Sequence, residues 1–183
     1  LIIYCPDQIA RDFPAYWNIH LPEFEGRYYP FPKLTFRPMS SEKEQFTIGN
    51  GRLSARRVYH GWGKTDALAF RLETSEGTFV YSGDTGDCRG IREIVKYADI
   101  FVSECTIPLR EIKTQDDIYK LSKEYGHLNP YLAGEIAKNG NVKRLVLFHY
   151  IGLDSDEAII KEVKRSGYTG EITVGKDFQT IEI

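Results

Sequence analysis

Four residues of this chain are of types that could do chemistry together: His60, Asp84, His127 and His149. Asp84 lies in the run Tyr81-Ser82-Gly83-Asp84-Thr85-Gly86, where an apolar segment, Thr78-Phe79-Val80-Tyr81, gives way to a sharp turn on two glycines. A carboxylate is thereby held at the carboxyl end of a strand, where open α/β sheets gather their functional groups. His149 follows the apolar run Leu145-Val146-Leu147-Phe148 in the same way, and His60 follows Arg56-Arg57-Val58-Tyr59. Imidazoles and a carboxylate on rigid strand ends are how metal sites are assembled, because the elements fix the ligand atoms in place. His127 differs in sitting on a loop that opens a helix at Asn129-Pro130. Taken singly, each has an ordinary reading. A Gly-Asp pair makes turns, a histidine at a strand-to-loop junction is usually structural, and His127 could simply pack on Tyr125.

The elements that must position these residues are legible in the pattern. Pro6-Asp7 starts a helix with apolar positions Ile9, Ala10, Phe13, Tyr16 and Trp17, although Pro14 leaves its length open. Residues 21–39 are rich in aromatics and proline, which suits a loop or lid with edge-strand segments. Phe46-Thr47-Ile48, Leu53 to Tyr59, Leu68 to Glu73 and Thr78 to Ser82 read as an antiparallel meander with turns at Gly49-Asn50-Gly51 and Ser75-Glu76-Gly77. The texture then changes to α/β alternation. A short helix carries Ile91, Ile94, Val95 and Ala98, and a strand runs from Asp99 to Glu104. Helices are expected over Thr114 to Tyr125, from Asn129-Pro130 through Ala137, and over Asp156 to Arg165 behind the cap Ser155. Leu145 to Phe148 is a strand buried on both faces, and Glu171 to Val174 and Thr180 to Ile183 are two last strands.

Composition bounds the rest. The chain has 183 residues, 42% hydrophobic and 27% charged, which fits a globular domain with a real core. A net charge of −2 provides no global field for nucleic acid or an anionic membrane. The pairs Arg56-Arg57 and Lys143-Arg144 read as solvated strand ends. Cys5, Cys88 and Cys105 are odd in number and widely spaced, which argues for reduced thiols and a cytoplasmic location. No apolar run is long enough to span a bilayer, and no signal peptide begins the sequence. The opening Leu1-Ile2-Ile3-Tyr4-Cys5-Pro6 reads as an internal strand whose upstream partners are missing.

In order, His60, Ser82-Gly83-Asp84-Thr85, Ala98 to Cys105, Gly126-His127-Leu128-Asn129-Pro130, and Val142 to Leu147 running into Phe148-His149-Tyr150 resemble the later motifs of the metallo-β-lactamase superfamily. The branch they resemble is that of ribonuclease Z and phosphodiesterase-like hydrolases. The resemblance covers essentially the whole chain and implies an α/β fold, the αββα sandwich, without its N-terminal strands. One domain over residues 1–183 is expected. It further implies that His60 and His149 each ligate one of two zinc ions, that Asp84 bridges both, and that the pair activates a shared water as a metal-bound hydroxide. His127 would be a catalytic histidine facing the substrate, with Asp84 also counted in the catalytic set. Thr85 and Glu104 fit hydrogen-bonding support of these side chains, and equally a turn and a capped strand end.

Two departures qualify the expectation. The family's first motif, two histidines one residue apart followed by Asp-His, has no match here; the remaining histidine, His20, stands alone. Three ligands do not close two zinc sites, so the zinc is expected to be absent or partial in the chain as it stands. Ribonuclease Z proteins that clamp RNA through a projecting arm carry it between the positions of His60 and Asp84, and residues 61–83 leave no room for one. The sequence therefore points to a metal-dependent, binuclear zinc hydrolase acting on a phosphoester of small-molecule or nucleotide type, with no membrane partner and RNA disfavoured. Two alternatives stay open: a metal-free paralogue serving as a binding or scaffold module, and a hydrolase of thioesters, lactones or sulfate esters. The segment from Tyr28 to Phe36 fits either a lid or a homodimer surface.

Overall fold

The structure is a computed structural model that describes residues 2–20, 34–39 and 45–182, with the backbone alone over 16–20. Most of the proline-rich segment read as a lid or dimer surface, and the His20 side chain, lie outside the described residues. The chain divides into two compact units, Leu1–Glu44 and Gln45–Ile183. In the first, strand β1 (Ile2–Cys5) pairs in parallel with β2 (Thr35–Pro38), and helix α1 (Asp7–His20) runs through Pro14.

The second unit carries every candidate site residue. Its seven-stranded sheet has the order β3 (Gln45–Ile48), β4 (Gly51–Val58), β5 (Ala67–Glu73), β6 (Thr78–Tyr81), β7 (Ile100–Glu104), β8 (Arg144–Phe148), β9 (Glu171–Val174). Pairing is antiparallel from β3 to β6 and parallel from β6 to β9. The change follows from the connections. Connections of two to eight residues join the first four strands, whereas longer crossovers containing α-helices join the rest. As a result β4, β6, β7 and β8 all run the same way, and their carboxyl ends, Val58, Tyr81, Glu104 and Phe148, gather at one end of the sheet.

Four helices complete this unit: α2 (Arg89–Ile94), α3 (Gln115–Tyr125), α4 (Pro130–Asn139) and α5 (Asp156–Arg165). Their starts are written in local chemistry. Thr114 and Asp117 form a reciprocal capping box, and the Ser155 hydroxyl accepts from Ala158 N. Asn129 caps α4 by accepting from Leu132 N (2.9 Å) and donates to Ile118 O of α3 (2.9 Å), so one buried amide fixes two helices together. Alternate strand residues Val80, Phe101, Leu145 and Leu147 meet Ile91, Ile118, Leu132, Ile136 and Ile159 from the helices in one core.

One expected element is absent. Residues 180–182 form no strand. The chain leaves β9 through Phe178, which has a left-handed backbone (φ 63°) and is fully exposed, and 180–182 find no ladder partner. An apolar alternating run without a neighbouring strand to bond does not become one. The three cysteines are free, and among the described residues no helix is long and apolar enough to cross a membrane.

Phe101 is completely buried in β7. Phe101→Ala is expected to lower unfolding stability by about 3–5 kcal/mol, the usual cost of deleting a buried ring and leaving its cavity. Urea denaturation followed by circular dichroism measures it.

Candidate metal centre

The four candidate residues come together beyond the gathered strand ends. The His60 and His127 ring centroids are 4.8 Å apart, those of His127 and His149 are 5.8 Å apart, and both pairs meet edge to face. His149 Nδ1 lies 3.0 Å from Asp84 Oδ1. Ligand atoms of His60, Asp84 and His127 all fall within 4.8 Å of one another, and so do those of Glu104, His127 and His149. His127 thus stands between the other two histidines and belongs to both groupings.

Local backbone geometry explains how they arrive. Gly83 turns the chain off β6 with φ 58°, and a Cβ there would lie 2.9 Å from Leu68 O on the neighbouring strand, so glycine is required. The next residue, Asp84, is thereby turned over the sheet end. His149 itself takes a left-handed backbone (φ 53°), an uncommon conformation for a residue of its size, directly after β8. The Thr106 hydroxyl holds it there, donating to His149 O (2.9 Å) and lying 3.2 Å from His149 Nδ1.

The hydrogen bonds also fix which ring nitrogens are presented. His60 Nδ1 is 3.0 Å from Gly126 O. A carbonyl only accepts, so Nδ1 carries the proton and Nε2 keeps its lone pair. His127 Nδ1 is 2.9 Å from Glu104 Oε1 and donates to it by the same reasoning. His149 Nδ1 is occupied by Asp84 and Thr106. Each imidazole is therefore tied at Nδ1 and offers Nε2. A histidine that binds a divalent ion is held in this way, with its far nitrogen donating to a carbonyl or carboxylate. Imidazole nitrogens and the half-exposed Asp84 carboxylate are donor types that suit a zinc-like ion.

Glu104 is fully buried, and its carboxylate is completely engaged. Oε1 accepts from Thr85 N (2.9 Å) as well as from His127, and Oε2 accepts from Thr106 N (2.9 Å). Of the two residues expected to support the site, Glu104 holds His127 and Thr85 holds Glu104 through its backbone, its own hydroxyl bonding Gly86 O. Sequence reasoning did not find Thr106 or the carbonyl of Gly126. The only signal for Thr106 is its position two residues beyond Glu104, and a backbone carbonyl leaves none. A groove of about 580 Å³ adjoins His149, walled by Val102, Val146, Phe148 and Tyr150 with Lys176 at its edge.

The family described as beta-lactamase superfamily domain matches residues 2–150. The chain is 31% identical over 106 residues to a ribonuclease Z of Streptomyces avermitilis, a match covering 57% of this chain and 33% of that protein. The chain thus spans about a third of the length of the first curated relatives it matches. The metallo-beta-lactamase fold protein YhfI of Bacillus subtilis superposes with a TM-score of 0.66 at 22% identity, covering 96% of this chain and 62% of that one. Human tRNase Z, short form, superposes with a TM-score of 0.64 at 22% identity, covering 100% of this chain and 66% of that one. The two structures establish the metallo-β-lactamase α/β fold.

The hydrogen bond from His127 to Glu104 raises the imidazole above its ordinary value; burial opposes the rise, and the charges of Glu104 and Asp84 add to it. A group whose folded value is raised contributes stability that is present in full below its unfolded value, about 6.5, and is lost as pH rises through the folded value. In the metal-free chain, Glu104→Gln should bring the His127 titration down and remove that pH-dependent contribution. Proton NMR titration of the imidazole checks the first, and unfolding curves at pH values either side of it check the second. A His127 value unmoved by the substitution would show that the pair does not form in solution.

Proposed function

The chain belongs to the beta-lactamase superfamily, and from that membership we propose that it is a metal-dependent hydrolase of phosphoesters. The observation that carries the reading is the cluster itself: three histidines tied at Nδ1 around one carboxylate at the end of a mixed sheet. His60, Asp84 and His149 would hold metal in part; a full complement of two divalent ions, zinc by donor chemistry, needs the further ligands of the family's first motif, which has no match in residues 1–183. When bound, such ions supply Lewis acidity and bring the pKa of water toward neutrality.

The chain's own residues account for the remaining requirements. Asp84 offers two oxygens and so can serve more than one cation while offsetting their mutual repulsion. Glu104 orients His127 and favours its protonated form. In that protonated form His127 has a proton on Nε2 that it can give to a leaving oxygen. Partial burial of His127 and complete burial of Glu104 limit the loss of that proton to water. The passage from His60 to Asp84 consists of one 3-10 turn and the strands β5 and β6. No segment projects from it, so a small or nucleotide-type ester suits the site better than an RNA gripped by an arm.

The test is made in a protein that also supplies the family's first His/Asp motif, and pairs metal analysis with kinetics on bis(4-nitrophenyl) phosphate. Asp84→Ala should remove bound metal and abolish turnover. His127→Ala should keep its metal yet slow turnover by roughly a hundredfold, the scale of a lost general acid. Equal metal loss in both variants would make His127 a ligand, and turnover persisting in a chelated sample would overturn the metal-dependent reading.

A further inference from the structure

Directly after His60 the chain makes one 3-10 turn, Gly61–Gly63, closed by Gly63 N to His60 O (3.0 Å) and Lys64 N to Gly61 O (3.0 Å). All three residues have left-handed backbones, with φ of 57°, 56° and 71°. The middle one is Trp62. A bulky residue is disfavoured in this region, where glycine is at ease. Nor does burial of the side chain offset the strain, since Trp62 is 69% exposed. The surroundings impose the conformation: Tyr59 Oη donates to Lys123 O (3.0 Å), and Gly126 packs so tightly that a Cβ there would lie 3.1 Å from Gly61 N. The same close approach places Tyr125, 41% exposed and two residues before His127, on the backbone segment that lies against the Trp62 turn. Two exposed aromatics thus lie two residues along the chain from the two histidines whose ring centroids are 4.8 Å apart, on backbone segments that pack together.

We propose that Trp62, assisted by Tyr125, forms an aromatic platform that stacks a planar heteroaromatic ring of the substrate, so that the ester class acted on is that of nucleotides. The inference deepens the phosphoester reading and rests on it. Strain retained at an exposed residue beside a reaction site is the signature of a group kept for ligand contact, because folding alone would select against it. An indole face accepts any base without hydrogen-bond readout, so the platform selects for a ring and not for a particular base.

Binding can be read without turnover. In a Trp17→Phe background Trp62 is the single tryptophan left, and its fluorescence reports on the platform. Adenosine 5′-monophosphate should quench it saturably, whereas ribose 5-phosphate, which has the phosphate without the ring, should not. Against the wild-type chain by calorimetry, Trp62→Ala should weaken the nucleotide by about tenfold, the usual scale for one stacked base, and Trp62→Phe by less. Trp62→Gly should lose the same affinity while raising the melting temperature by roughly 2–4 °C, since it removes the backbone strain. Equal affinity for the two phosphates, or a Trp62→Gly chain that melts lower, would overturn the proposal. So would a change in self-association, by analytical ultracentrifugation, with nucleotide affinity unchanged. A chain that hydrolyses nothing can still pass the nucleotide titration, and a working hydrolase can still fail it, so the two readings fall separately.

Discussion

The arrangement of the site depends on one buried carboxylate. Glu104 ends β7 with no exposure to solvent, where an unpartnered charge would cost several kcal/mol. Three donors meet it, from Thr85, Thr106 and His127, each on a different segment. The requirement that all three be present determines where those segments run. The loop carrying Asp84 must pass Thr85 N beside Glu104, the chain beyond β7 must turn back at Thr106, and the α3–α4 loop must bring His127 in. Thr106 then fixes His149 through its hydroxyl. Most of the cluster's geometry traces back to this single group.

The sheet supplies the frame. Because β5 runs against both β4 and β6, four strands of one direction end together, and loops of quite different origin deliver their residues to a common place. Parallel strands demand crossovers, and the crossovers are the helices that bury the sheet's other side. A second tie holds these helices against the site. Arg92 of α2 bridges Asp87, in the loop just past Asp84, to Glu135 of α4, and Tyr119 of α3 donates to the same glutamate (2.6 Å). Both carboxylates keep the Arg92 guanidinium firmly charged, so the loop that bears Asp84 is anchored from behind as well as from below.

Backbone strain is distributed with the same economy. Among the described residues, left-handed non-glycine backbones occur at Trp62, Tyr97, Asn141, His149 and Phe178. One of them is a member of the cluster, and another lies two residues beyond His60. Residues with such φ values persist where surrounding contacts leave no alternative, and the contacts around His149 and Trp62 are those that build the cluster.

Much of this was legible in the sequence because it is local. Asn129-Pro130 and Ser155 announce helix starts through the bonds their side chains make to the next turn. The apolar run Leu145 to Phe148 announces a buried strand, and Gly83-Asp84 after Tyr81 a turn that holds a carboxylate at a strand end. The order of the histidines was enough to point to the family. The final strand at 180–182 was misread because alternation describes a side-chain pattern, whereas a strand exists only if a neighbour bonds it. Three features lay beyond local reading: the central place of His127, the role of Thr106, and the nitrogen each imidazole presents. Each is decided by partners dozens of residues away, Gly126 for His60, Glu104 for His127, Asp84 and Thr106 for His149. Sequence determines which groups are available and which strand ends they follow; sheet register and the satisfaction of one buried charge decide which atoms face each other.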